Sequence, residues 1–346
     1  MTTAADRRDR RSSGSRQGAL ARFFGGQTHF DIIGRSGLWT RLVLATVAVS
    51  LLGVLLAGLN LGIDFTGGTS YVVSGASTDP TAEELRAALA DVGVDEARVQ
   101  LVDGSDGAGA LITTPALEDI GGEQQAGVVQ ALTDVTGAPS ERIDVQAVGP
   151  RWGAEISRQA LEGLLVFLVL VTIYIALRFE LRMAVAALIT LFHDIALTVG
   201  VYAIVGFEVT PASVIALLTI LGYSLYDTVV VFDRVKEDTA GLSSVSTGTY
   251  GEAANGALNS VLVRSLSTSV TSLLPVASLL FIGATLLGAG TLQDLALALF
   301  IGMAVGTYSS VIVATPTLVW LKEREPRWAE LKDKVAARRG GTAGAS

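Results

Sequence analysis

The chain has 346 residues, half of them hydrophobic, and a mean hydropathy of +0.52. Its net charge of −8 argues against a nucleic-acid-binding surface. No cysteine and only two histidines, His29 and His193, are present, so disulfides are excluded and no plausible zinc set can be assembled; neither a metal nor a cofactor is expected.

In chain order, residues 1–38 are arginine-rich and polar (DRRDRRSSGSRQG) and are expected to form a cytosolic, mostly disordered tail, with His29 a solvated side chain. The apolar run that follows is of full spanning length, unlike the shorter core of a signal peptide. Six such runs occur: Leu42–Leu61, Leu161–Leu177, Met183–Phe207, Ala212–Phe232, Leu266–Leu287 and Leu295–Trp320. A hydrocarbon layer of ~30 Å takes about 20 helical residues to cross, and six such helices cannot all be buried in so small a globule. An α-helical polytopic membrane protein is therefore expected, with the first span over 39–61, spans two to six over 159–321, a cytosolic loop over 233–262 and a cytosolic tail over 322–346. Positive charge sets the orientation. Eight arginines in the first 41 residues, two in RFELR (178–182) and seven Lys/Arg after Trp320 predict that both termini and the second–third and fourth–fifth connections are cytoplasmic.

The segment 62–158 would then lie outside. TSYVVSG reads as a strand, TDPTAEELRAALADVG as a helix with Asp79 as N-cap and Pro80 first, and ARVQLVDG and GALITTP as two further strands. A glycine-weakened helix (EDIGGEQQAGVVQALTDVTG) and a closing strand (RIDVQAVGP) complete the order β-α-β-β-α-β, that of an inserted α+β ferredoxin-like domain. Gly67 and Gly68 suit a sharp turn into its first strand.

No Gly-Lys-Ser/Thr phosphate loop and no G-x-S-x-G elbow occurs, so neither ATP hydrolysis by that route nor that acyl-transfer chemistry is expected; the chain reads as no enzyme. The ionisable residues within the spans are Asp194, Asp227 and Arg264, with Glu162 and Asp294 nearer the boundaries. A mid-span charge costs roughly 2.5–3.5 kcal/mol on insertion scales and therefore has a partner or faces water. Asp227 and Arg264 fall at similar depth on antiparallel neighbours, which makes a pair geometrically reasonable. Polar residues recur at helical spacing beside them: Thr219, Tyr223 and Asp227 in the fourth span, and Arg264, Ser267, Thr268 and Thr271 in the fifth. Gly302 and Gly306 offer a small-residue packing face in the sixth, followed by Thr307, Ser309 and Ser310. The residues alone leave alternatives open: Asp227–Arg264 as a static register-fixing pair, Arg264 snorkelling to headgroups, and Asp194 as a packing group rather than a proton site. An intramembrane protease using Asp194 and Asp227 is disfavoured, because Ser-Leu-Tyr precedes Asp227 where such enzymes carry Gly-x-Gly.

GIDFTGGTS (62–70), HDI (193–195), GYSLYDTVVVFDRVKE (222–237), NSVLVRSLSTSVTSLLP (259–275) and QDLALALFIGMAVGTYSSVIVATP (293–316) resemble, in order, the motifs of the SecD/SecF family of export proteins, SecF-type in the fourth span. The resemblance covers roughly residues 25–325. It implies half of a resistance-nodulation-division (RND) type bundle, paired with SecD beside the SecYEG channel and SecA, with YajC and YidC as further candidate partners. It also implies a cytoplasmic-membrane location and work on unfolded preprotein at the outer side, driven by the proton-motive force. The family's proton-conduction positions match Asp227 and Arg264; Tyr223, Tyr226, Thr228, Asp194, Ser267, Thr268 and Thr271 would form the supporting polar interface. Gly67, Gly68, Gly222, Gly302 and Gly306 are the motif glycines. Tyr226 departs from the pattern, where asparagine is common, so another group or its hydroxyl must orient the aspartate. Two readings stay open: a small-molecule or lipid exporter half of the same superfamily, and a structural export subunit without proton conduction.

Overall fold

The computed structural model describes residues 30–104, 107–115, 122–242, 248–283 and 290–343. Residues 1–29, with His29, lie outside this set. Six helices or helix pairs have the length and apolarity to cross a membrane: α1 (Ser36–Ala57), α5 (Pro150–Arg178), α6 (Leu181–Val205), α7 (Pro211–Thr239), α8 (Tyr250–Ser278, continued by a π turn at Leu279–Gly283), and α9 (Gly290–Ser309) joined to α10 (Thr315–Lys322) through a π turn at Ser310–Ala314.

Between α1 and α5 lies the α+β domain: β2 (Gly68–Ala76), α3 (Ala82–Asp91), β3 (Arg98–Gly104), β4 (Gly107–Thr114), α4 (Glu123–Thr136) and β5 (Ile143–Val148). Its sheet order is β3-β4-β2-β5 with antiparallel neighbours throughout, the ferredoxin-like arrangement. Alternation along β2 buries Tyr71 and Val73 and exposes Val72, while i,i+4 pairs on the helices (Leu85/Leu89, Val128/Leu132) bury the same face of the sheet. The N-cap of α3 is Thr81, not Asp79: its hydroxyl accepts from the Glu84 amide while Glu84 reaches back to the Thr81 N–H. That reciprocal box satisfies two orphan donors, which an aspartate two residues earlier cannot.

Two boundaries move for physical reasons. The first helix ends at Ala57 rather than 61, since Gly58 turns at φ 71° and Asn60–Leu61 (β1) pair in parallel with Glu208–Val209 (β6). The second begins at Pro150, inside the segment assigned to the domain, with proline at its first position. Most of the 233–262 loop is helix, as α7 runs on to Thr239 and α8 starts at a Thr249–Glu252 capping box. The C-terminal tail is also structured: α11 (Pro326–Ala343) buries Trp328, Leu331 and Val335 against the bundle, with Trp328 4.8 Å from the Tyr250 ring and Arg339 paired to Glu252. Residues 30–33 are held as well, through backbone bonds to the Asn255 and Asn259 side chains.

Gly67 and Gly68 both take positive φ, 74° and 150°, turning the chain from the short helix α2 (Ile63–Thr66) into β2. A Cβ on Gly68 would stand 2.5 Å from the Thr114 carbonyl oxygen, so the turn and the sheet contact both require glycine.

At this end Glu208 is half-buried; burial pushes its carboxyl up, the Asp294 and Asp64 charges push the same way, and Arg98 opposes them. A carboxyl raised on folding adds stability below its unfolded value and loses that contribution as pH rises through its folded value. Glu208→Gln is therefore expected to raise the unfolding midpoint of the chain in detergent at pH ~8, by about 2 °C, and to change it little at pH ~5; an equal shift at both pH values would contradict this account.

Candidate functional site

The fourth-span helix α7 is launched by Thr210, which accepts from the Ser213 amide, with Pro211 at its first turn. One face, Ile220, Leu221, Ser224, Asp227, Thr228 and Val231, is buried against the neighbouring helices. Gly302 and Gly306 of α9 make that approach possible: a Cβ on Gly302 would fall 2.3 Å from Ile220 Cδ1, and one on Gly306 3.1 Å from Ser224 Cβ. Gly222 differs, since a Cβ there meets nothing within 4 Å and the residue is exposed.

Asp227 is 6% exposed. Its Oδ2 accepts from Ser265 Oγ at 2.6 Å and from Ser310 Oγ at 2.5 Å. Ser310 opens the π turn, an inserted residue that re-aims the side chains of the last span. The carboxylate is thus gripped by α8 on one side and the α9–α10 junction on the other. Among the described residues it has no ion pair.

Arg264 does not pair with Asp227. It is exposed, on the outer face of α8, next to the buried Ser265. One residue along a helix is a rotation of about 100°, so depth alone did not decide which side chain would face the aspartate. Ser267 and Thr271 are exposed with it, Thr268 is half-buried, and the Thr268 and Thr271 hydroxyls donate to carbonyls of their own helix. Tyr226 is 55% exposed, and the serines do the orienting its hydroxyl would have had to do. Tyr223 is half-buried against Ile220 and its neighbours, and Thr228 is buried. Ser265 was not among the sequence candidates; its signal was the buried pair Ser265/Ser269, one step round the helix from the polar stripe.

The second intramembrane acid, Asp194, sits in a separate network on α6. Its Oδ1 meets His193 Nδ1 at 3.0 Å, its Oδ2 accepts from Ser224 Oγ at 2.5 Å, and His193 Nε2 lies 3.1 Å from the Tyr308 hydroxyl. No hydrogen bond joins the Asp194 and Asp227 carboxyls among the described residues, which does not fit a shared-proton aspartyl dyad.

Among the six spans α1, α5 and α8 are the least covered: in their apolar stretches 6%, 11% and 11% of residues are buried, against 50%, 44% and 50% in α6, α7 and the last span. On α8 this open face carries a charge.

Residues 128–324 match the family described as protein export membrane protein SecD/SecF, C-terminal, and residues 54–77 match the SecD/SecF GG motif. The protein translocase subunit SecF of Streptomyces coelicolor is 43% identical over 335 residues, covering 94% of this chain and 86% of that protein. Its counterpart in Mycobacterium leprae is 44% identical over 319 residues, 88% of this chain and 67% of that protein. The crystal structure of SecDF, a translocon-associated membrane protein from Thermus thermophilus, superposes with a TM-score of 0.76 at 34% identity over 86% of this chain. This chain spans 39% of that solved chain. Fold and site together define a multi-pass helical membrane protein, half of an RND-like bundle with an inserted ferredoxin-like domain. The chain belongs to the SecD/SecF family of protein-export membrane proteins.

Proposed function

We propose that this chain is the SecF half of a SecD–SecF complex in the cytoplasmic membrane, a translocase accessory subunit that is no enzyme. It uses the proton-motive force to assist Sec-dependent export, with Asp227 taking up and releasing the proton. The observation that carries this is Asp227 itself, a mid-bundle carboxylate whose two partners are hydroxyls, groups that donate to a carboxylate and accept from a carboxylic acid equally well. A permanently charged partner would instead hold one state. A proton crossing ~100 mV releases roughly 2.3 kcal/mol, enough to bias a two-state bundle acting repeatedly on an unfolded chain.

Several features support the pairing with SecD. The Thermus thermophilus relative is named SecDF and is matched by this chain over 39% of its length. An arginine on an open transmembrane face costs energy in lipid, which a partner's polar or acidic group offsets, and Arg264, Ser267, Thr271 and Tyr226 together form such a face. In this reading SecD covers α7 and α8, the termini are cytoplasmic, and the α+β domain meets preprotein beside SecYEG, with SecA, YajC and YidC as associated components.

The reading is tested by tagging the chain in cells depleted of their own SecF and following SecD capture and maturation of an exported reporter. Both should be restored; loss of either refutes the assignment. Arg264→Leu is expected to lower SecD capture at least about fivefold while the chain still inserts, whereas Arg158→Leu, in the exposed first turns of α5, leaves capture unchanged.

A further inference from the structure

We propose that His193 is a second proton-accepting site, filled from a cavity that opens at the end of the bundle carrying both described chain ends. His193 lies midway along α6, 4% exposed, beside Asp194 at 1%. Asp194 is already committed to two donors, Ser224 Oγ and the imidazole Nδ1–H, and keeps both whether or not the ring is charged. Tyr308 supplies the reversible contact. With a neutral ring its hydroxyl donates to Nε2; when Nε2 gains a proton, the new N–H donates to the tyrosine oxygen. A proton on Nε2 thus leaves both ring nitrogens partnered, Nδ1 by Asp194 and Nε2 by the Tyr308 oxygen.

Access comes from the packing of α1. Near its outer end α1 touches α6 closely: a Cβ on Gly200 would come within 2.6 Å of the Ser50 backbone, and one on Gly53 within 2.4 Å of Ile204. At the other end the helices separate around a cavity of about 1350 Å³, walled by Val47, Ile189 and Ala196 and bordered by His193 itself. That volume exceeds the roughly 30 Å³ share of one water many times over, and polar groups that could hold water gather at its mouth. The charged groups facing it are Arg41 of α1, Asp31 before it, Glu252 of α8, Glu323 after α10 and Lys332 of α11. Toward the bundle interior the imidazole meets Asp194 and Tyr308, and Asp194 in turn accepts from Ser224, with Asp227 one turn beyond Ser224 on α7. The inference rests on the proposed function only for the side of the membrane on which the cavity opens.

The presence of just two histidines makes the test direct. His29→Gln leaves one imidazole, and ¹⁵N-histidine spectra of the full chain in lipid nanodiscs report its tautomer and charge. In spectra recorded from pH ~8 down to pH ~5, Nδ1 is expected to stay protonated and Nε2 to gain a proton. Asp194→Asn is expected to populate the opposite tautomer, because an amide donates as readily as it accepts. Ala196→Phe, which narrows the cavity beside His193, is expected to slow proton exchange at Nε2 at least about tenfold. A ring signal constant across the range, or Nε2 protonated with Nδ1 bare at neutral pH, overturns the proposal. Repeating the measurement with Asp227→Asn separates the two claims: the same change at Nε2 is expected there whether or not Asp227 supports export.

Discussion

Asp227→Asn should reduce export in SecF-depleted cells to the level of cells without the chain, while insertion and SecD capture stay at wild-type values. The separation follows from the partners of the carboxylate. Ser265 and Ser310 donate to it now, and each can instead accept from the asparagine NH₂, so no buried polar group is stranded and the junction of α7, α8 and the last span remains intact. What asparagine cannot do is bind and release a proton. Asp227→Glu keeps the acid but adds a methylene to a site closed by two helices, so it should recover part of the activity. Normal export by Asp227→Asn would make Asp227 a packing residue and move the coupling elsewhere.

Gly302→Val is expected to have the next largest effect. The added Cβ would fall 2.3, 2.8 and 3.0 Å from three atoms of Ile220, including its Cγ2, which no rotation about the outer side-chain bonds can withdraw. Ile220 is itself 1% exposed, so it has nowhere to go and α9 must move off α7. Overpacking of this kind costs about 1–3 kcal/mol. The cost falls on function as well, because the displaced helix leads into Ser310 and its hold on Asp227. A fall of several degrees in the unfolding midpoint, with export impaired in proportion, is expected. Gly163→Ala is the control: its Cβ meets nothing within 4 Å, and alanine in a helix should be neutral or favourable by up to about 1 kcal/mol. Equal effects of the two substitutions would contradict the packing account.

The spans, the inserted domain and the motif residues were legible because each is written locally, in run length, in period and in short fixed spacings. The β-α-β-β-α-β order could be read without any knowledge of pairing, and Asp227 stood out as a carboxylate in an oily run. Less accessible was the direction each side chain faces. Arg264 and Ser265 are adjacent in sequence, at nearly one depth, and only the packing of α8 against α7 decides that the serine turns inward. Tyr308 and His193 lie 115 residues apart, so nothing local joins them. The docked C-terminal helix did leave a signal, Trp328, Leu331 and Val335 at i, i+3 and i+7, but it is interleaved with lysines and arginines that read as a solvated tail.

The small β1–β6 pairing ties these observations together mechanically. β1 stands at the base of the α+β domain, one residue before α2 and the turn at Gly67–Gly68, while β6 stands one residue before α7. The Arg98 guanidinium of the domain also donates to Asn60 in β1. From Pro211 the chain continues as a single helix of 29 residues, about 43 Å at 1.5 Å per residue, and Asp227 sits little more than halfway down it. An uninterrupted helix is stiff along its axis, so under the function proposed above a sub-ångström slide at Asp227 would carry to the β1–β6 strap, and a load on the α+β domain would reach the carboxyl by the same route. Under that proposal, softening the helix with a glycine pair between Pro211 and Asp227 is expected to impair export while leaving both ends of the shaft unchanged.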